Sequence, residues 1–495
     1  MTEQTRLRVT IDARALDGGL MGTQIHVLEL VRALARTGAL GLRVLVRGER
    51  IDRATLALLG ELPDTEILAA EDVDDSTPRS AVFHRPQQTF SPGDVAFAWR
   101  LGERFVLSQL DLIAYRNADY FPDAGAWEDY RRASRHGMFA AERVVVSSEH
   151  TRHDLLTDVL ADAERIRVVP PGLDHRSGEE PRIPPALEAR SPDDSDGDES
   201  SAEEEPSFLL CLGTDYQHKN RVFALRMLAA LHERHDWRGR LVLAGTHVTH
   251  GSSRELERKE LDARPQLREA VIDLGSVEEA EKEWLMEHAS VVLYPSMYEG
   301  FGLVPFEAAL RGVPCSFAPQ SALAEGAGKA ATIVPWDPIQ SAAAAYALLT
   351  DPAARTRHVQ LLADAARELT WERAATKMVD VYRGAVLAPV RDAARLSRDA
   401  LARERELIGA HRSAVQTLIG ERELVLDDYN ELLAEVGPGR SLVGPRGTLP
   451  EDLQRALLAL SARPALSRPL YGLAASAFRA TRALARAVRR PLRRG

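Results

Sequence analysis

The sequence predicts an α/β protein with two doubly wound domains in tandem, each a parallel sheet with helices on both faces. Short β-branched runs alternate with stretches of helical spacing over residues 7–169 and again over residues 208–334. Strands that alternate with helices form parallel sheets, because each connecting helix crosses a face of the sheet. An acidic segment of low hydrophobicity separates the two series and predicts a boundary there.

The runs predict six strands in each series, as in two Rossmann-like folds. The first six strands are expected at residues 7–12, 42–46, 81–84, 104–107, 143–147 and 166–169. The second six are expected at residues 208–212, 241–244, 271–274, 290–294, 313–317 and 332–334.

These patterns divide the chain into six segments. They are a first domain (1–175), an acidic disordered linker (176–206), a second domain (207–369), a helix that crosses back to the first domain (370–386), a helical extension (387–437) and an Arg-rich amphipathic tail (438–495). Within the linker, residues 179–205 contain eleven acidic residues and two arginines. This composition predicts a flexible connection; the alternative is an acidic strip that occupies a basic cleft or holds the tail.

The charge is distributed unevenly along the 495 residues. The net charge is −10, yet residues 453–495 contain ten arginines and no acid, so the rest of the chain carries −20. Nucleic acid is therefore not an expected partner of the main body. In the tail, apolar residues such as Leu473 and Phe478 fall opposite Arg479 and Arg486 on a helical wheel. This pattern predicts that residues 464–495 bind an anionic membrane surface; docking on the acidic body and an RNA contact are the alternatives.

Three further features concern location and assembly. Cys211 and Cys315 lie in apolar runs typical of buried strands, which is expected of a reducing compartment. A signal-peptide pattern and an apolar run of membrane-spanning length are both absent from the sequence, so we expect a cytoplasmic protein, peripheral on the inner face of the cell membrane. Residues 396–435 show a weak heptad pattern, which suggests either a homodimer contact or a helix packed on its own domain.

The segment 290–314 carries the most chemical information. A buried strand ends at Pro295, a glycine-containing loop follows, and a short helix begins near Pro305. Glycines on either side of Phe301 allow backbone N–H groups to approach a ligand next to a helix N-terminus, where negative charge is favoured. The loop is therefore predicted to bind phosphate. Glu299 and Glu307 flank it, and their carboxylates suit sugar hydroxyls or developing positive charge.

This segment resembles the Glu-x7-Glu region of the retaining nucleotide-sugar glycosyltransferases of family 4. Similar stretches occur at residues 212–220, at 243–245 and at 17–30, and the resemblance covers roughly residues 6–386. It implies the GT-B fold, in which two Rossmann-like domains face each other across a cleft, here followed by a C-terminal helical extension. It also implies transfer of a glycosyl group from a nucleoside diphosphate sugar with retention, without a divalent metal and without a cofactor.

The resemblance also implies roles for individual residues. Glu307 would bind the donor ribose, Glu299 the transferred sugar, and Lys219 the diphosphate leaving group; Glu299 and Lys219 are thus the catalytic candidates. The remaining substrate-binding candidates are Gly19, Gly22, Thr23, His26, His84, Asp111, Thr214, His218, Asn220, Gly300, Phe301, Gly302 and Leu303.

Two departures from the family pattern stand out. His218 occupies a position where arginine is common, so the imidazole supplies a second positive charge only when it is protonated. Leu110 stands where a histidine often contacts the donor sugar. Several candidates also have structural alternatives: His84 as a buried core residue, His26 as a residue facing the sheet, and Asp111 as a cap of the following segment.

Together these features predict a transferase that acts on a hydroxyl acceptor, either a glycan or a lipid-linked acceptor, in cell-surface polysaccharide or glycolipid assembly. Two other functions fit the same cleft. One is a non-catalytic glycan- or nucleotide-binding assembly protein, and the other is a nucleotide-sugar epimerase of the GT-B fold.

Overall fold

A computed structural model describes residues 6–17, 22–175, 180–188 and 207–389, and these ranges form two α/β lobes. The first lobe contains a seven-stranded parallel sheet of order β3-β2-β1-β4-β5-β6-β7. Its strands are β1 (Leu7–Asp12), β2 (Leu40–Val46), β3 (Thr65–Ala69), β4 (Ser80–Arg85), β5 (Gly102–Ser108), β6 (Arg143–Val146) and β7 (Ile166–Val168).

Helices cover both faces of the first sheet, and apolar residues of its strands pack into a separate core cluster on each face. The helices are α1 (Gly22–Arg36), α2 (Arg53–Gly60), α3 (Pro92–Leu101), α4 (Ile113–Arg116), α5 (Ala124–Ala140) and α6 (Glu149–Thr157). Side-chain caps define several starts: Asp52, Asp123 and Ser148 each accept a hydrogen bond from a backbone N–H of the first turn.

The second lobe contains a five-stranded parallel sheet of order β10-β9-β8-β11-β12. Its strands are β8 (Phe208–Leu212), β9 (Arg240–Ala244), β10 (Val271–Gly275), β11 (Val291–Tyr294) and β12 (Cys315–Phe317). The helices after the first lobe are α7 (Pro185–Glu188), α8 (Arg221–His235), α9 (Arg254–Ala263), α10 (Glu279–His288), α11 (Val304–Leu310), α12 (Leu323–Gly326), α13 (Pro338–Thr350), α14 (Pro352–Ala366) and α15 (Trp371–Val386). The predicted fold class is thereby confirmed for the described residues.

The final described helix, α15, packs on the first lobe although it follows the second lobe in sequence. Trp371, Met378 and Tyr382 are buried in the same apolar cluster as Val9 and Val31. The backbone continues past Ala366 to reach this site, and the N–H of Trp371 donates to Asp174 Oδ1 at 2.7 Å. This helix therefore connects the end of the second lobe to the core of the first lobe.

The strand count differs from the expected six in each lobe. The strand β3 was missed because Thr65–Ala69 contains only a short apolar run at a sheet edge, where partial exposure weakens the pattern. The strand expected at residues 332–334 does not form. The N–H groups of Thr332 and Ile333 both donate to the single carbonyl of Phe317, which extends the sheet edge without a regular ladder.

Part of the expected linker, residues 180–188, is described and is held on the second lobe. The backbone N–H of Arg182 donates to the carbonyl of Ala280 at 3.0 Å, and its guanidinium pairs with Glu278 at 2.6 Å. Leu187 packs against the apolar core of the second lobe. These nine residues differ from the expectation of disorder because Arg182 finds partners at the start of α10 and Leu187 finds them in the core of the second lobe. The extension from residue 390 and the whole tail lie outside the described residues.

Among the helices of the described ranges, none combines the length and the apolar character that are needed to cross a bilayer.

Candidate functional site

The candidate site lies at the carboxyl ends of the two neighbouring strands β8 and β11 of the second lobe. Lys219 follows β8, and its Nζ lies 2.7 Å from Glu299 Oε1, which follows β11. The hydroxyl of Tyr294 donates to the same Oε1 at 2.7 Å and accepts from Lys219 Nζ at 3.0 Å. The two catalytic candidates are thus joined as an ion pair that is supported by a tyrosine hydroxyl.

Local backbone geometry brings Lys219 to this position. A short 3₁₀ turn, Gln217–Lys219, ends at Asn220, whose φ of 54° is left-handed, and α8 begins immediately afterwards. The carbonyl of His218 accepts from the N–H of Met297 at 2.7 Å, which ties this turn to the loop that carries Glu299. Asn220 is therefore used for its backbone conformation at the start of the helix.

The ion pair is shielded from solvent, and this affects the ionisation of Glu299. Glu299 is 7% exposed. Burial alone would raise the pKa of the carboxyl, but the nearby Lys219 ammonium more than offsets this effect, so the pKa of Glu299 lies below its ordinary value. The carboxylate is consequently ionised at neutral pH and is available to orient hydroxyl groups or to stabilise positive charge.

The second predicted acid, Glu307, lies in the first turns of α11. Its side chain is partly exposed, and within the described residues its carboxylate accepts no hydrogen bond. Glu307 also contributes to raising the pKa of Lys282 on α10, which shows that the two charges are close. A free carboxylate at this point can accept hydrogen bonds from a ligand such as a ribose.

The loop between Glu299 and Glu307 offers a ligand mainly backbone groups. The ring of Phe301 lies 6.0 Å from that of Phe306, and both Phe301 and Leu303 pack on the apolar core of the second lobe. Gly302 has a φ of +87°, a left-handed conformation that favours glycine. Because the side chains point into the core, the groups that this loop offers to a ligand are its backbone N–H groups at the start of α11.

Gly300 contacts the other lobe, which the sequence did not predict. A Cβ atom at this position would lie 2.2 Å from the carbonyl oxygen of Leu110 in the first lobe. The carbonyl of Gly300 accepts from the Ser147 hydroxyl at 2.8 Å and from the Thr151 hydroxyl at 3.3 Å. The small residue is thus required where two backbones meet across the cleft, and the Leu110 backbone takes part in this contact.

Asp111 lies next to that contact and faces the ion pair. Its Oδ1 accepts from the N–H of Ile113 at 2.8 Å, and its Oδ2 lies 3.5 Å from Nε2 of Gln88. Burial and the neighbouring Glu299 raise the pKa of Asp111, although its hydrogen bond from Ile113 and the Lys219 charge oppose this shift. Asp111 therefore caps the following segment and also stands within electrostatic reach of Glu299.

His218 is a partner of Tyr120, which belongs to the first lobe. The Tyr120 hydroxyl lies 2.6 Å from His218 Nδ1. Burial and the adjacent Lys219 lower the pKa of His218 to about 4, against the opposing effect of Glu299. At neutral pH the imidazole is therefore uncharged, so without a ligand it does not supply the positive charge that protonation would provide.

Thr214 follows β8 directly, and its carbonyl accepts from the N–H of Tyr216 at 2.8 Å. This bond folds the chain after β8 towards Lys219.

The first-lobe candidates lie at the start of α1. Gly22 is exposed and Thr23 is half-buried at the first positions of this helix, and Gly19 lies outside the described residues. His26 is one turn further along, its ring 5.6 Å from that of Trp371. Burial lowers the pKa of His26 to about 4. His26 lines a mostly apolar pocket with Leu110, Ser147 and Trp371, so it faces the carboxyl edge of the first sheet.

His84 lies inside the first lobe. It is 0% exposed, and its two ring nitrogens are bonded to Tyr382 at 2.8 Å and to Ser108 at 2.9 Å. Burial and the nearby His26 lower its pKa to about 3, against the effect of Asp12. The geometry supports the structural alternative for His84, because both nitrogens are occupied by protein groups.

Sequence reasoning missed the residues whose role depends on contacts distant in sequence. Tyr294 could have been noticed as the last residue of a strand that enters the site. Tyr120, Ser147 and Thr151 carry no such signal, since they reach the second lobe only after both lobes have folded.

Comparison with known proteins identifies the relationship. Residues 132–378 match a family model described as "Family 4 Glycosyltransferase in conflict systems". Residues 132–378 are thus assigned to glycosyltransferase family 4. The chain is 30% identical over 261 residues to the D-inositol 3-phosphate glycosyltransferase of Kineococcus radiotolerans, a match that covers 50% of this chain and 58% of that relative. It is 29% identical over 256 residues to the enzyme of the same name from Xylanimonas cellulosilytica, covering 49% of this chain and 57% of the relative. The chain thus spans less than two thirds of the length of these curated relatives.

Solved structures share the fold of this chain. Anabaena HepE in complex with UDP and glucose superposes with a TM-score of 0.54 at 14% identity, covering 77% of this chain and 100% of HepE. Sucrose-phosphate synthase from Thermosynechococcus elongatus superposes with a TM-score of 0.53 at 19% identity, covering 77% of this chain and 99% of the synthase. At these identities the likeness establishes the GT-B architecture.

The contact at Gly300 can be tested by adding one methyl group. We expect Gly300→Ala to lower the free energy of unfolding by about 1 to 3 kcal/mol, because the Cβ meets a backbone carbonyl that cannot move independently. Thermal unfolding monitored by circular dichroism measures the change. The control is Gly326→Ala, where the nearest atom to a Cβ is Phe306 Cζ at 3.9 Å. Equal stability of the two variants would contradict the close approach.

The buried His84 predicts a pH dependence of stability. Its pKa of about 3 lies below the value in an unfolded chain, so the unfolded state binds the proton first and stability falls as the pH is lowered below about 6.5. Between about pH 6 and pH 4 we expect the free energy of unfolding to fall with decreasing pH less steeply in His84→Gln than in the unaltered protein. The difference in slope should be about 1 kcal/mol per pH unit. Urea unfolding across this range measures the slope. The exposed His153→Gln variant is the control, and an unchanged slope in His84→Gln would contradict the prediction.

Proposed function

We propose that this family 4 protein transfers a glycosyl group from a nucleoside diphosphate sugar to a hydroxyl acceptor, with retention at the anomeric carbon and without a metal. The observation that carries the proposal is the shielded Lys219–Glu299 ion pair, at 2.7 Å, beside the free carboxylate of Glu307. One cation and two carboxylates at the carboxyl edge of an open sheet suit a ligand with one anionic end and several hydroxyl groups.

Each group has a part in the proposed reaction. Glu307 accepts hydrogen bonds from the ribose, and the N–H groups at the start of α11 bind the diphosphate. When the bond between the anomeric carbon and the diphosphate oxygen breaks, negative charge grows on that oxygen and Lys219 stabilises it. A metal is not required for this step, because an ammonium can supply the charge. Glu299, released from Lys219 by the diphosphate, keeps its bond from Tyr294 and orients the hydroxyl groups of the sugar.

The first lobe is proposed to bind the acceptor, since Asp111 and the apolar pocket around His26 face the same cleft. The named relatives act on D-inositol 3-phosphate, which bears hydroxyl groups. For this chain we propose a glycan or lipid-linked acceptor at the inner face of the membrane, reached by the Arg-rich segment 464–495, with a homodimer contact at 396–435.

Turnover separates the transferase from the other functions considered. Purified protein is incubated with UDP-, GDP- and ADP-sugars, with and without a membrane extract, and products are followed by NMR. Transfer to an acceptor with the anomeric configuration of the donor, unaffected by a chelator, supports the proposal. Release of an epimerised free sugar without acceptor would favour an epimerase. Binding without turnover would favour a non-catalytic assembly protein.

Substitution of the two acids should change different quantities: donor affinity for Glu307 and the catalytic rate for Glu299. We expect Glu307→Gln to weaken donor binding by about 1 to 3 kcal/mol, because a charged acceptor for the ribose is lost. Glu299→Gln should lower kcat at least tenfold with a smaller change in KM. Initial rates over a range of donor concentrations measure both. The exposed Glu372→Gln on α15 is the control, and full turnover by Glu299→Gln would contradict the assignment.

The tail has a direct test. We expect truncation after Pro464 to abolish sedimentation with phosphatidylglycerol vesicles, because the arginines no longer pair with lipid phosphates. The full chain on phosphatidylcholine vesicles is the control. Unchanged sedimentation of the truncated chain would refute a membrane role for this segment.

A further inference from the structure

One contact between the lobes reaches the residue beside Lys219. Tyr120 lies in a short 3₁₀ turn of the first lobe, Ala118–Tyr120. Its hydroxyl is 2.6 Å from Nδ1 of His218, and its ring centroid is 4.8 Å from that of Tyr216. The second lobe accommodates the ring because residue 251 is glycine: a Cβ there would lie 2.1 Å from Tyr120 Cδ1. Tyr120 thus fits between two loops that border the site.

The tautomer of His218 depends on which of the two partners donates in this contact. The Tyr120 oxygen accepts from the backbone N–H of His218 at 3.4 Å, which leaves its own proton free to be donated. When Tyr120 donates that proton to Nδ1, the proton of a neutral imidazole resides on Nε2. Within the described part of the chain Nε2 bonds to no protein atom.

We propose that Tyr120 sets the tautomer of His218 so that its Nε2–H donates a hydrogen bond to the diphosphate of the donor. Closure of the two lobes is thereby coupled to donor binding. The inference rests on the proposed function, since it concerns the same donor site. Tyr120 acts through His218 and is therefore a positioning residue.

The environment of His218 favours a neutral donor over a second cation. The groups that face it are Tyr120, Tyr216, Lys219 and Glu299. Burial disfavours the imidazolium, and the adjacent Lys219 ammonium acts in the same direction, so the pKa of His218 is about 4. A neutral N–H beside one ammonium can bind a diphosphate oxygen without bringing two like charges together. His218 therefore offers the ligand a directional hydrogen bond and not a second positive charge.

A double-mutant cycle tests the coupling. UDP, GDP and ADP are titrated into the full-length protein by isothermal calorimetry, and the nucleotide that binds most tightly is used. We expect His218→Ala to weaken binding about three- to tenfold, the value of one hydrogen bond, and Tyr120→Phe to weaken it about threefold. In the His218→Ala background, Tyr120→Phe should have no further effect, because the residue through which it acts is gone.

A glutamine at the same position provides a rescue. His218→Gln places an N–H donor at the ε position and has no tautomers, so it should bind more tightly than His218→Ala and be insensitive to Tyr120→Phe. The control is Tyr298→Phe, which removes another hydroxyl bond between the lobes, to Asp154. Its effect should add to that of His218→Ala.

The outcomes distinguish the inference from the proposed function. Coupling that is confined to the Tyr120–His218 pair supports the inference. If a nucleotide binds and the two changes are additive, the inference is overturned and the proposed function stands. If none of the three nucleotides binds the unaltered protein, both are overturned.

A spectroscopic measurement does not depend on the stability of the variants. Long-range ¹H–¹⁵N spectra of histidine-labelled protein distinguish the two neutral tautomers, and His218→Gln identifies the signal of His218. We expect the Nε2–H tautomer at neutral pH in the unaltered protein. An Nδ1–H tautomer would overturn the inference.

Discussion

The ion pair between Lys219 and Glu299 is the interaction on which the site depends. Its two residues are 80 positions apart in sequence, and they meet because β8 and β11 are neighbours in a parallel sheet. Either charge would cost free energy if it were buried without its partner, so each residue requires the other in the absence of ligand. Tyr294 donates to Glu299 and accepts from Lys219, and it therefore holds the geometry of the pair.

The same ion pair suggests how the site could bind a donor. In the proposed reaction a diphosphate would compete with Glu299 for Lys219, and the released carboxylate would retain a hydrogen bond from Tyr294. The energetic cost of separating the pair is thus partly offset inside the protein. Removing Lys219 alone would leave Glu299 buried without its counter-ion, which is a larger perturbation than the loss of one contact to the ligand.

The first lobe contributes to this site through backbone and hydroxyl groups. Ser147 and Thr151 bind the carbonyl of Gly300, and Tyr120 reaches His218. These bonds place the first lobe directly against the loop that carries Glu299 and against the turn that precedes Lys219. Position 110, where the family often has histidine, contributes its carbonyl to this contact, so the departure at Leu110 leaves the backbone part of the contact intact.

The sequence alone determined the two-lobed α/β architecture, most strands, and the loop with Glu299, Gly302 and Glu307. Periodicity, glycine placement and local motifs are encoded over short stretches, so these features can be predicted without knowledge of packing. The edge strand β3 was missed because its short apolar run gives only a weak local pattern. The tertiary structure decided which side chains meet. It paired Lys219 with Glu299, buried His84 between Tyr382 and Ser108, used Gly300 for contact between the lobes, and brought Tyr120 to His218. Such contacts join residues far apart in sequence, and they arise from strand order and lobe packing, which a local pattern does not contain.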